Sequence, residues 1–102
     1  MSEAEILNQI RLELSRLGYI VIRRQSGTFL SLDGKRKAII GINGECDLEV
    51  IGDGFVAFIE VKSKGGRIRP EQIRYIERMK QLGHKAGVAR SVSDAINIIN
   101  NM

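Results

Sequence analysis

At 102 residues the chain has the length of one domain, domains usually running from about 50 to 250 residues, and its 43% apolar and 27% charged content excludes a disordered chain. The single cysteine, Cys46, excludes an internal disulfide framework or a thiolate metal cluster; no apolar run approaches the roughly 20 residues that span a bilayer, and the acidic start Met1-Ser2-Glu3-Ala4-Glu5 is unlike a signal peptide, so a cytoplasmic, membrane-free protein is expected. The net charge of +4 and pI near 9.6 gather in Arg23-Arg24, Lys35-Arg36-Lys37 and Lys62 to Arg69, which suits a polyanionic partner, although many basic proteins bind none.

The spacing of Ile6, Leu7, Ile10, Leu14 and Leu17 predicts an amphipathic helix from Ser2 to Leu17, capped by Ser2 and stopped at Gly18. Tyr19 to Arg23 is β-branched and aromatic, the composition of a strand, and Gln25-Ser26-Gly27 reads as a loop. Between Phe29 and Ile42 the Asp33-Gly34 pair separates short apolar stretches and predicts a hairpin, since glycine accepts the positive φ of a tight turn. Asp47 to Ile51 and Phe55 to Lys62 flank Gly52-Asp53-Gly54 as an antiparallel pair. Lys64 to Arg69 is a glycine- and cation-rich loop, and Pro70 opens a helix carrying Ile73, Ile76, Met79 and Leu82 that Gly83 ends. His84 to Ala89 reads as a strand, with His84 itself a helix-end cation rather than a catalyst. Ser91 to Asn100 reads as a last helix, with Ser91 and Asp94 at capping-box spacing. The fold class expected is α/β, a central mixed sheet flanked by helices in the order α-β-β-β-α-β-α.

The chemistry concentrates in Asp47 and, thirteen residues later, Glu60-Val61-Lys62. Side chains alternate along a strand, so Glu60 and Lys62 project together, and an antiparallel return brings Asp47 beside them. Two carboxylates at a strand end form a hard oxygen site for Mg²⁺ or Mn²⁺, whose bound water becomes a nucleophile, with Lys62 placed to orient it or neutralise developing charge. On spacing alone, a solvated Glu60–Lys62 ion pair is an equal alternative. Phe55 to Val61 is almost wholly apolar, as in a strand buried on both faces, and an ionised Glu60 there needs a partner or a metal.

These residues resemble the PD-(D/E)xK nuclease superfamily and, within it, the VRR-NUC branch; archaeal Holliday-junction resolvases are similar in layout. The resemblance includes an acidic first helix ending in Leu17-Gly18, Arg23 to Gly27 with Ser26, Gly44 ahead of Asp47, and Gly65-Gly66 ahead of a helix bearing Gln72. It departs where Cys46 replaces the proline of the superfamily's name. It implies a restriction-endonuclease-like core and a metal-dependent phosphodiesterase, with stand-alone members often phage-encoded, homodimeric and active on branched DNA. Carried over residue by residue, it makes Asp47 and Glu60 metal ligands with the Val61 carbonyl, Lys62 the group acting on the nucleophilic water, and Gln72 the glutamine of the following helix. Gln72 shares a face with Ile76 and Met79, so an amide satisfied by backbone is equally open. The first-helix glutamate of the family falls on Glu3, in line with the apolar stripe and so expected to face inward, or on Glu5; either is also an acidic first-turn residue favoured by the helix dipole. Arg23, Arg24, Ser26, Lys64, Arg67 and Arg69 are the expected nucleic-acid contacts. Cys46 is expected to point away from Asp47, across the strand, into the core.

Overall fold

The computed structural model describes residues 1–24, 27–35, 37–40 and 44–101. Helix α1 (Glu3–Arg16) forms where expected, with a complete capping box: the Ser2 hydroxyl accepts from the Glu5 amide and the Glu5 carboxylate accepts from the Ser2 amide. Strand β1 (Ile20–Arg23) follows, then β2 (Gly27–Leu30) and β3 (Lys37–Ile40), which pair antiparallel around the Asp33-Gly34 turn. The expected hairpin is therefore present, although its far end at Ile42 lies outside the described residues. Strands β4 (Leu48–Gly52) and β5 (Phe55–Val61), helix α2 (Pro70–Gln81), strand β6 (Lys85–Ala89) and helix α3 (Val92–Asn100) complete the chain.

The main sheet has the order β1-β4-β5-β6; the first two pairings are antiparallel and β5–β6 is parallel, linked through α2. Three strands thus precede α2 and one follows it, the order read from the sequence. The β2–β3 hairpin forms a separate two-stranded sheet that packs against no other element among the described residues. No described helix is long and apolar enough to cross a membrane.

Alternation along β5 sorts its side chains into two layers. Ala57, Ile59 and Val61 lie fully buried with Leu48 and Val50 against α1 and α3, and each of the larger four contributes roughly 1.5–3 kcal/mol through burial. Phe58 faces the opposite layer with Ile76 and Tyr75 of α2. This second face is less completely covered than expected: Val56 and Phe58 are half-buried, because the one helix on that side covers β5 and β6 and leaves Ile20 and Ile22 of β1 exposed. Ile73 and Leu82 are likewise exposed, so the buried line of α2 runs through Gln72 and Ile76 instead.

One helix end differs in detail from expectation and another closes as expected. At α3 the Ser91 hydroxyl accepts from the Asp94 amide, but the Asp94 carboxylate accepts from the Arg90 amide, one residue before the cap, so the reciprocal box is not closed. At the end of α2, Gly83 takes φ 91°, and the amides of Gly83 and His84 donate to the carbonyls of Lys80 and Met79, closing the last turn.

Gly44 governs the approach to β4. It is buried at φ 85°, and a Cβ there would lie 2.7 Å from the carbonyl carbon of Glu71 in the first turn of α2. The segment leading to Asp47 therefore leans directly on helix backbone. Gly44→Ala is expected to cost roughly 1–3 kcal/mol, from the left-handed conformation and the forced separation, read as a lower urea midpoint; an unchanged midpoint would refute the close approach.

Candidate active site

The β4–β5 register ends with Leu48 opposite Ile59, so one step further out Asp47 stands beside Glu60 on the α2 side of the sheet. Asp47 occupies a bend just before β4. Its Oδ2 accepts the Val61 amide at 2.8 Å, and its own carbonyl accepts the Arg24 amide at 2.7 Å. The side chain is thus held at the sheet end by β5 and its backbone by the segment after β1. A strand residue's N–H and C=O open toward the same edge, so the Val61 carbonyl faces the Asp47 side as well.

Glu60 is 2% exposed. Its Oε1 accepts from the Gln72 amide nitrogen at 2.8 Å and lies 3.6 Å from Lys62 Nζ. Its Oε2 is buried with no hydrogen-bond partner. Burial, and then the neighbouring Asp47 carboxylate, push the Glu60 pKa up to about 7, against the opposing pull of Lys62. A buried carboxylate oxygen left open beside a second carboxylate is what a divalent cation would satisfy. No group of three or more His, Cys, Asp or Glu is arranged for a metal among the described residues; the available donors are two carboxylates and a main-chain carbonyl. That set fits Mg²⁺, which keeps several waters and takes few protein ligands, and does not fit a soft metal.

Gln72 unites the two roles left open by the sequence. As the third residue of α2 its Oε1 accepts the Arg69 amide at 2.9 Å, closing one half of a capping box, while its amide nitrogen reaches Glu60. The reverse amide orientation would set oxygen against carboxylate, so the cap fixes which atom faces the site. Gln72→Ala is expected to lower stability by roughly 1–3 kcal/mol, read by thermal melting. A loss no larger than that of an exposed α2 position such as Arg74→Ala would show that the Glu60 contact carries nothing.

The remaining expected residues divide. Arg23 and Arg24 end β1 at this same edge of the sheet, and Lys64, Arg67 and Arg69 follow β5, all exposed. Two of them are already engaged, Arg24 with Glu49 at 3.3 Å and Arg69 with Glu71 at 3.4 Å; exposed pairs of this kind are weak and exchangeable. Ser26 lies outside the described residues. Glu3 does not face inward: helical phase aligns it with Ile6, Leu7 and Ile10, but it is the first residue of α1 and is exposed, whereas Glu5 is occupied by the Ser2 cap. It is Gln9 of α1 that borders a cavity with Lys64 and Arg90 at the strand ends.

Cys46 is buried, as expected, but on the same side as Glu60, among Ile76 and Ala86, because the bend at Asp47 breaks strand alternation. Burial, then Glu60 and Asp47, push its thiol well above the ordinary value, which leaves it unreactive. His84 is exposed with its ring 5.7 Å from that of Phe58, at the sheet end remote from Asp47. Arg90 is a further residue at this end of the sheet that no sequence motif marks: its guanidinium donates to the Ser63 carbonyl at 2.6 Å, beside the Lys62 amide that donates to the Ala89 carbonyl. A side chain clasping a distant main-chain oxygen leaves no pattern in the sequence.

A mixed sheet between helices, with two carboxylates and a lysine at the end of its central hairpin, defines a restriction-endonuclease-like domain of the nuclease type. The VRR-NUC domain family model matches residues 31–93, more than half of the chain, and the chain belongs to that family, a PD-(D/E)xK nuclease family. A solved structure described as a VRR_NUC domain superposes with a TM-score of 0.66 over 99% of this chain and 98% of its own, at 22% identity, a likeness of fold. No curated protein matches the chain.

Proposed function

We propose that this domain is a Mg²⁺- or Mn²⁺-dependent DNA endonuclease, acting on branched DNA as a homodimer. The observation that carries the reading is the buried, unpartnered Glu60 Oε2 beside Asp47, with Lys62 across the same carboxylate. Asp47, Glu60 and the Val61 carbonyl would hold the metal, which when bound supplies Lewis acidity and a more acidic water. Lys62, its side chain only 12% exposed, holds positive charge where a phosphate acquires negative charge. Gln72 keeps Glu60 aimed, and the bases ending β1 and following β5 neutralise backbone phosphates without reading sequence.

The homodimer reading rests on the β2–β3 hairpin, which packs against no other element among the described residues and whose strands are apolar in sequence, Phe29-Leu30 and Ala38-Ile39-Ile40. Two sites at a fixed separation would then select branched substrates. A monomer by light scattering that cuts linear and branched DNA equally would sink this part.

The test of the nuclease is cleavage of labelled linear duplex, flap and four-way-junction DNA with Mg²⁺, Mn²⁺ or EDTA, for wild type and Asp47→Ala. Metal-dependent cutting lost in the variant supports the proposal, and the substrate ranking tests the branched preference. Binding without cutting in any metal would identify a silent nucleic-acid-binding module.

A further inference from the structure

On the α1 and α3 side of the sheet, at the end that carries Asp47 and Glu60, lies a cavity of about 390 Å³. Its polar lining is Gln9 of α1, Lys64 of the loop after β5, and Arg90, Ser91 and Ser93 around the start of α3, and Met1, Ile6 and Val92 form its apolar wall. No carboxylate lines it. Of the two acids adjoining lining residues along the chain, Asp94 accepts the Arg90 amide and borders a different depression with Asn97, and Glu5 is taken up by the Ser2 cap. Two full positive charges therefore face a hollow that offers hydroxyl and amide donors and no compensating anion.

Arg90 is half-buried and fixed by its bond to the Ser63 carbonyl, which uses one guanidinium nitrogen and leaves further N–H donors. Its backbone adjoins Ala89, whose carbonyl accepts the Lys62 amide at 3.1 Å. The cavity thus adjoins the end of β6, to which the backbone of Lys62 is hydrogen-bonded. Lys64 lies two residues beyond Lys62, a stretch of chain no longer than about 7 Å, which a nucleic-acid strand rising about 3.4 Å per nucleotide covers in a step or two.

We propose that this cavity is a phosphate subsite, taking a backbone phosphate of the bound DNA strand close to the phosphodiester at Asp47 and Glu60. The proposal rests on the nuclease reading above and adds to it the path of the strand: across the tips of β5 and β6, from the α2 side of the sheet to the α1 and α3 side. Gln9 and Ser93 supply donors to the phosphate oxygens, and Lys64 and Arg90 supply the charge.

The test uses binding rather than cutting. Fluorescence anisotropy in EDTA measures affinity for duplex DNA with a single uncharged methylphosphonate moved along one strand. Gln9 and Lys64 are both exposed, so Gln9→Ala with Lys64→Ala leaves the core and the Arg90 clasp intact. For wild type, one methylphosphonate position is expected to weaken binding about tenfold; the double variant binds unmodified DNA about tenfold more weakly, is indifferent to that position, and has a salt slope smaller by about one. Lys80→Ala, at the opposite end of the sheet, behaves as wild type. A double variant that keeps the wild-type affinity and the position-specific penalty overturns the subsite. So does a gain in affinity confined to duplexes with 5′-phosphate ends, which would assign the cavity to a terminal phosphate. Wild-type protein with no salt-sensitive DNA affinity would instead remove the nuclease reading.

Discussion

Glu60→Gln is expected to yield a protein that no longer cuts DNA yet resists unfolding better than wild type at pH 8. The wild-type Glu60 pKa is raised from 4.5 to about 7 by burial and by Asp47, so between these values the folded protein binds more protons than the unfolded chain. The stability associated with the protonated, buried acid is fully present below pH 4.5 and is lost as pH rises through 7. Without metal, wild type should therefore be less stable at pH 8 than at pH 5 on this account, by on the order of 1–3 kcal/mol. Glutamine removes the slope, keeps an acceptor for Gln72, and presents a donor toward Asp47. Cleavage should fall by at least about 10³-fold, since a carboxylate is what a cation needs there. Added Mg²⁺ should raise the wild-type melting temperature at pH 8 and leave the variant unmoved. A variant less stable than wild type at pH 8, or one that still cuts, would overturn the account of Glu60.

Lys62→Met is expected to lower cleavage by roughly 10²–10³-fold while Mg²⁺ still stabilises the folded protein. The side chain is largely buried and its ammonium is 3.6 Å from Glu60, where it holds the Glu60 pKa down against burial and Asp47. Methionine keeps the apolar stem and removes the charge. Glu60 should then hold its proton to a higher pH than in wild type, so the Mg²⁺-induced rise in melting temperature should begin at higher pH. That pH displacement separates a charge acting at the site from a stem that merely fills space. If Mg²⁺ stabilisation vanishes at every pH along with activity, Lys62 supports the carboxylates and does not act on the phosphate.

The part of the site that could be read from the sequence is the part governed by local periodicity. Glu60 and Lys62 share a strand face, the glycine turn at 52–54 returns β4 beside β5, and Gln72 lies in phase with Ile76; each follows from two- or three-and-four-residue spacing. Glu3 shows the limit of that logic: it is in phase with Ile6, Leu7 and Ile10 yet exposed, because phase does not tell whether a first turn has anything to pack against. The bend at Asp47 reversed the side taken by Cys46, because alternation holds only while the chain stays extended. Gly44 against Glu71, and Arg90 against Ser63, join a side chain or a bare Cα to backbone far away in sequence. Backbone partners have no side-chain identity and so leave no residue pattern.

The proposed metal ligands and the groups that aim and charge them all fall between Asp47 and Gln72, on one strand pair, one loop and the first turn of one helix. The chemistry is therefore heritable as a single uninterrupted stretch of chain. A change in α1, or in the length of the β2–β3 hairpin, leaves that stretch of chain untouched. The family match over residues 31–93 contains that stretch whole.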